Sequence, residues 1–207
     1  MIDKLCGFLT QKIRDENPEI DEDRAEIINY GIQLIIGEIP KIFIMISIAF
    51  LFGIGKEALI SFLLIFPYRR FSGGFHLKTH IGCIICTTLM YCGDALLAMY
   101  FPLVGIAKYI AIASIWIFGM LMCYKYAPAD TENLPILTKK ERKQKKILSY
   151  ISLTIMLVVS LLVQDKLISS IIVYGMFIQT ISITRIAYRI TKNQYGHEVY
   201  NKQTSNA

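Results

Sequence analysis

"LVGIAKYIAIASIWIFGMLMC", residues 103–123, carries one charge, Lys108, in 21 positions, and "ILSYISLTIMLVVSLLV", residues 147–163, carries none. Crossing the hydrocarbon core of a bilayer takes about 20 mostly apolar residues, with about 17 as a practical minimum. Both runs are apolar blocks rather than the one-sided stripes of a soluble helix. The whole chain agrees, being 54% hydrophobic and only 18% charged, which excludes an ordinary soluble globule. Working outward, apolar segments recur at about 26–54, 57–68, 77–98, 103–123, 147–163 and 167–185. The expected fold is therefore all-α: one polytopic membrane domain over 1–207 with about six membrane-embedded helical segments. Its N-terminal stretch of mixed charge, residues 1–25, does not read as a cleavable signal peptide.

Two segments are irregular. Glu38, Pro40 and Lys41 interrupt the first, so that it reads as one kinked helix or as an interfacial helix feeding a span. Glu38 is either a functional charge at membrane depth or a side chain that snorkels or pairs with Lys41. Segment 57–68 is short, and a stretch of that length suits a re-entrant or interfacial element as well as a span.

The formal net charge of +6 is arranged for orientation rather than for nucleic acid. Alternating threading from a cytoplasmic N terminus puts residues 69–76, the central loop 124–146 and the tail 186–207 on the inside. These hold Arg69, Arg70, Lys125, Arg189, Lys192, Lys202 and the run "KKERKQKK" at 139–146. The outer connections keep only Lys56 and Lys166, as the positive-inside rule requires. Both termini are expected in the cytoplasm, with the basic run facing anionic lipid headgroups.

Chemistry concentrates in "RRFSGGFHLKTHIGCIIC", residues 69–86. Pro67 and Gly73–Gly74 break the helix before His76, and broken backbone at membrane depth persists only against protein or a wet cavity. On a helix beginning near His76, His80 lies about 40° round from it and Cys83 about 20° the other way, whereas Cys86 sits about 80° off. Cys83 is thus the thiol that shares a face with the imidazoles. A thiolate is the reactive form, and a nearby imidazolium or a helix N-terminus favours it. Arg69 and Arg70 add positive potential for an oxyanion or a carboxylate. Seven helical residues rise about 10.5 Å, beyond hydrogen-bond reach. Either His76 leaves the helix and folds back at Gly73–Gly74, or His80, three residues from Cys83, is the base. Spacing alone favours His80.

Two other readings use the same side chains. His76, His80, Cys83 and Cys86 offer a zinc-like spacing, but four ligands on one continuous helix cannot wrap a tetrahedral ion. A small channel or transporter would use His76, His80 and Glu38 as polar pathway residues. The five cysteines are odd in number and lie mostly in apolar sequence, so a disulfide framework is not expected. No metal and no cofactor is expected.

The Gly-Gly-x-His sequence with a cysteine seven residues after the histidine, followed by "KYAPADTENLPI" and a lysine-rich run, resembles the AgrB family. These are the accessory gene regulator membrane endopeptidases of Gram-positive bacteria, and the resemblance covers nearly the whole chain. It implies a cysteine peptidase that matures an autoinducer precursor for quorum sensing. The catalytic pair it implies is His76 and Cys83, against the preference from spacing, with Arg69 and Gly74 as further motif positions beside Arg70 and Gly73. It also implies that residues 72–76 bend back rather than continue a helix.

On this resemblance the partner is an AgrD-like precursor peptide, and a homodimer is expected by analogy. The protein is expected in the bacterial cell membrane as a multi-pass protein with its active site toward the cytoplasm. Lys139, Lys140, Arg142 and Lys143 are candidates to hold an acidic tail of the precursor. Glu38, Asp130 and Glu132 are candidates for a third catalytic group, and "YAPADTENLPI" also reads as a plain turn stiffened by Pro128 and Pro135.

Overall fold

The computed structural model describes residues 2–17, 20–77, 79–132 and 135–205. The side chains of Glu38, His80 and Lys202 lie outside the described residues. Nine helices form among them: α1 (Ile2–Glu16), α2 (Glu22–Leu51), α3 (Gly55–Ser72), α4 (His80–Tyr100), α5 (Gly105–Tyr126), α6 (Lys139–Leu162), α7 (Lys166–Ser182), α8 (Arg185–Ile190) and α9 (Gly196–Ser205). An isolated parallel bridge joins Gly73 to Ala129. This is an all-α membrane protein. By length and composition Ile81–Tyr100, Gly105–Tyr126 and Lys139–Leu162 can each cross a bilayer, and α7 is a shorter apolar helix.

Helix starts follow local chemistry. Asp21 accepts from the Arg24 amide (2.8 Å), Thr79 from the Gly82 amide (3.1 Å), and Asp165 from those of Leu167 and Ile168 (2.8 and 3.1 Å). Each oxygen satisfies amides that a helix N-terminus leaves without partners. Pro40 is accommodated inside α2.

Helices α3 and α7 form the centre: α3 packs against α2, α4, α6 and α7, and α7 against α3, α4, α5 and α6. Small residues make this close approach possible, as they do between helices in lipid. A Cβ on Gly175 would lie 2.5 Å from Ile65 Cδ1. Buried hydroxyls bond back to their own helix, Ser160 to the Leu157 carbonyl and Thr180 to the Met176 carbonyl, each at 2.7 Å. Phe43, Leu63, Leu89, Ile106 and Leu162 face outward, where hydrocarbon would be their solvent.

Several expected boundaries move. Helix α3 covers Gly55–Ser72, well beyond the short 57–68 segment. Helix α4 begins at His80, not near His76, because Thr79 caps it and Gly73–Gly74 redirect the chain before it. The basic run is not loop: it forms the first two turns of α6, where Glu141 pairs with Lys145 at 2.8 Å, so the 124–146 connection shrinks to 127–138. The N-terminal polar segment folds as α1 against α2, and the tail folds as α8 and α9.

Candidate active site at the α3–α4 break

Glycine is required where α3 ends. Gly73 has φ of 75° and Gly74 of 145°, both in the region that side chains disfavour. A Cβ on Gly73 would stand 2.2 Å from the Ala129 carbonyl oxygen, and one on Gly74 would stand 2.8 Å from Ser182 Oγ. The turn is therefore pressed between the 127–131 segment and the end of α7.

The freed backbone groups are met one by one. The Gly73 amide bonds the Arg69 carbonyl (3.0 Å), the Gly74 amide the Ala129 carbonyl (3.0 Å), and the Phe75 amide the Ser182 carbonyl (3.4 Å). The Ala129 amide returns to the Ser72 carbonyl at 2.8 Å. Gln179 on α7 donates to the Gly73 carbonyl (2.8 Å) and to Ser72 Oγ (3.0 Å), and accepts from Arg69 Nη1 (3.0 Å). Protein thus surrounds this irregular backbone, which is the condition for keeping it at membrane depth.

The break carries His76 off both helices, and its side chain is exposed. The helical rise separating His76 from Cys83 therefore no longer applies. Cys83 is buried, at 8% exposure, and its amide bonds the Thr79 carbonyl at 2.9 Å. It lies in the first turn of α4 rather than two turns in, where the positive end of the helix dipole is felt. Arg69 is half-buried and near enough to act electrostatically on Cys86, three residues beyond Cys83, whereas Arg70 is exposed. His80 opens α4 and Glu38 lies within α2, but the side chains that their proposed roles need are outside the described residues.

A second cluster stands beside the break. The Asp130 side chain is fully buried and accepts from Arg142 Nη1 (3.2 Å), the Ile136 amide (3.0 Å), the His197 amide (3.0 Å) and His197 Nδ1 (2.7 Å). A carboxylate can only accept, so His197 carries its proton on Nδ1. Tyr188 donates to the Asp130 carbonyl at 3.0 Å and stacks on Tyr195, with ring centres 4.2 Å apart. Burial, more than the neighbouring Tyr195 and Asp130, pushes the Tyr188 phenol well above its usual range, against an opposing effect of Arg69. Asp130 thereby ties α6 and α9 to the segment that pairs with Gly73.

Arg142 is turned into this cluster, unlike Lys139, Lys140 and Lys143, which are exposed along the start of α6. Glu132 is exposed. Among the described residues no three His, Cys, Asp or Glu side chains gather as a metal site, and all five cysteines are free.

A family model for Accessory gene regulator B matches residues 6–183. The chain belongs to the AgrB family. An AgrB-like protein of Clostridium perfringens (strain SM101) is 34% identical over 169 residues, spanning 78% of this chain and 77% of its own. That of Clostridium acetobutylicum is 28% identical over 210 residues, 99% of this chain and 97% of its own, and that of Listeria innocua is 27% identical over 199 residues, 96% and 94%. No solved structure matches the chain. Membership places this chain in the accessory gene regulator system, and the family is associated with an AgrD-type precursor peptide.

Three polar residues of this chain went unremarked in the sequence. Gln179 is the only amide in the 167–185 apolar stretch, Asp94 is the only charge in α4, and His197 is the third of three histidines. The first two were detectable as polar groups at membrane depth. His197 had no signal, because its role depends on the tail folding back 67 positions to Asp130.

Proposed function

We propose that this protein is a membrane-embedded cysteine endopeptidase that cleaves an AgrD-type precursor and promotes its cyclisation. The observation that carries this reading is the Gly73–Gly74 break, which takes His76 out of the helix and leaves Cys83 in the first turn of the next one. The Cys83 thiolate attacks the scissile carbonyl, His76 protonates the departing amine, and a thioester acyl-enzyme remains. A cysteine or serine within the precursor then attacks that thioester. Its own proton is lost, the Cys83 thiol is released, and a thiolactone or lactone closes. Exchange keeps much of the acyl activation that hydrolysis would discard, so water must be kept away, as a site at the membrane boundary does.

The remaining assignments are of the same kind. The site faces the cytoplasm, in keeping with the basic residues at that end of the bundle. Arg69 and Arg70 supply positive potential near the reacting carbonyl. Lys139, Lys140 and Lys143 receive an acidic precursor tail, and the protein works as a homodimer.

The test is intact-mass measurement on the protein in liposomes, mixed with an AgrD-type precursor peptide and quenched in acid. A mass gain equal to the N-terminal part of the precursor, lost in Cys83→Ala and His76→Ala, is expected. An adduct that survives His76→Ala but not His80→Ala moves the base to His80. Cleavage that survives Cys83→Ala ends the peptidase reading.

A further inference from the structure

Gln179 lies on α7, more than 100 positions from the motif whose residues it holds, and it is fully buried. Both hydrogens of its amide nitrogen are used, and its oxygen has a partner. The oxygen accepts from Arg69, which can only donate, and the nitrogen donates to the Gly73 carbonyl, which can only accept. Those partners leave one permitted orientation of the amide. Ser72 Oγ takes the second hydrogen.

No other uncharged side chain of this length offers a donor and an acceptor on the same end. Leucine would leave the Gly73 carbonyl and the Arg69 fork without this partner. Glutamate would keep Arg69 but set an oxygen against the Gly73 carbonyl. One turn further along α7, the Ser182 carbonyl takes the Phe75 amide, immediately before His76. Helix α7 therefore grips the chain at Arg69, Ser72, Gly73 and Phe75, ending one residue short of the imidazole. The 127–131 segment grips the same turn from the other side, through backbone groups alone.

We infer that Gln179 is a positioning residue for the acyl-transfer reaction, fixing the turn that aims His76 toward the Cys83 side of α4. The inference rests on the peptidase reading above. Displacing a reacting group by about 1 Å can cost about 100-fold in rate, and Gln179 controls the register of the turn while His76 makes the proton transfer. The exposed lysines proposed to receive the precursor lie on α6, so binding and positioning are separable.

The experiment measures single-turnover formation of the Cys83 adduct in liposomes, over a range of AgrD-type precursor concentrations. It compares wild type, Gln179→Leu, Gln179→Glu, Cys83→Ala, His76→Ala and the Gln179→Leu/His76→Ala pair. Gln179→Leu should slow acylation about 30- to 100-fold with half-saturation changed by less than about threefold. Gln179→Glu, which retains the Arg69 contact, should fall between wild type and Gln179→Leu. In the His76→Ala background, read over long incubation where only the slow unassisted acylation remains, Gln179→Leu should cost less than about threefold more, because a residue that acts through His76 has nothing left to position.

Equal losses in both backgrounds, or a change confined to half-saturation, would overturn the inference in favour of general packing. A wild-type rate in Gln179→Leu, with Cys83→Ala inactive and His76→Ala inactive on the single-turnover timescale, overturns it while leaving the peptidase intact. Adduct formation or cleavage that persists in Cys83→Ala overturns both.

Discussion

Asp94 and Asp130 are both closed to solvent, yet the protein holds them in opposite ways. Asp130, outside the apolar helices, gathers four donors from three separate parts of the chain. Among the described residues Asp94, inside α4, has one hydroxyl partner, Ser61 on α3, and its Oδ1 has no hydrogen-bond partner. Burying a carboxyl is costly in proportion to what remains unmet. A connecting segment can bend toward donors, and here 127–136, α6 and α9 all do so. A residue in a packed helix must accept what the facing helices provide. Beside the Ser61 hydroxyl stands the small Gly175, where a Cβ would lie 3.1 Å from Asp94 Oδ2.

The largest effect should follow from breaking the richer of the two sites. Asp130→Ala leaves the Arg142 fork and the His197 ring without their anion, and removing one member of a buried charged network costs about 3–5 kcal/mol. Thermal unfolding in detergent should fall accordingly, and α9 should become sensitive to limited proteolysis first. Adduct formation at Cys83 should fall as well, since Ala129, the neighbour of Asp130, carries the pairing to Gly73 and Gly74. A melting point within error of wild type would show that the Asp130 network is not what fixes this end of the bundle.

His197→Ala should cost less, about 1–3 kcal/mol, because Asp130 keeps Arg142, the Ile136 amide and the backbone amide at position 197. Proteolysis should now release α9 while the protection of α6 stays near wild type. Equal loosening of both helices would mean that the four donors form an indivisible unit.

A milder probe is alkali. Burial first, with charged and phenolic neighbours second, raises the Tyr188 and Tyr195 phenols above the ordinary value. A group raised in the folded state contributes stability that is present below its unfolded pKa, about 10 for tyrosine. That stability is lost as pH climbs beyond it. Phenolate absorbance from these two rings should therefore lag behind that of exposed tyrosines, and unfolding should become progressively easier above about pH 10. Titration of all tyrosines together would remove Tyr188 from the buried cluster.

The contrast between the carboxylates also explains what could be read from the chain alone. Continuous apolar runs announce membrane helices whatever their neighbours, so α5 and the C-terminal end of α6 were legible to within a few residues. Gly73–Gly74 announced a bend, since glycine pairs break helices without tertiary help. Where α4 starts was harder, because the Thr79 cap competes with an apolar pattern that begins earlier. The extension of the basic run into α6 was hidden for a related reason: charge density argues for solvent exposure, not against helix. Gln179 and Asp130 were least legible. Their partners are 110 and 67 positions away in Arg69 and His197, and no local periodicity carries such distances.

The smallest effect belongs to Asp94. Replacing it with asparagine preserves shape and an oxygen for the Ser61 hydroxyl, and it replaces the unpartnered Oδ1 with an amide end. An unpartnered carboxyl oxygen and an unpartnered amide end each leave a buried polar group unmet, so the exchange trades one desolvation cost for another. Asp94→Asn should therefore shift unfolding by less than about 1 kcal/mol in either direction and leave adduct formation near the wild-type rate. The comparison with Asp130→Asn is the informative one, because both changes replace one carboxyl oxygen with an amide nitrogen and keep the heavy-atom count. If Asp94→Asn destabilised the protein as strongly as Asp130→Asn, the number of donors would not measure what a buried carboxyl contributes. If instead stability were preserved but adduct formation collapsed, Asp94 would belong to the chemistry despite lying well inside α4, and the break at Gly73–Gly74 would not mark the boundary of the site.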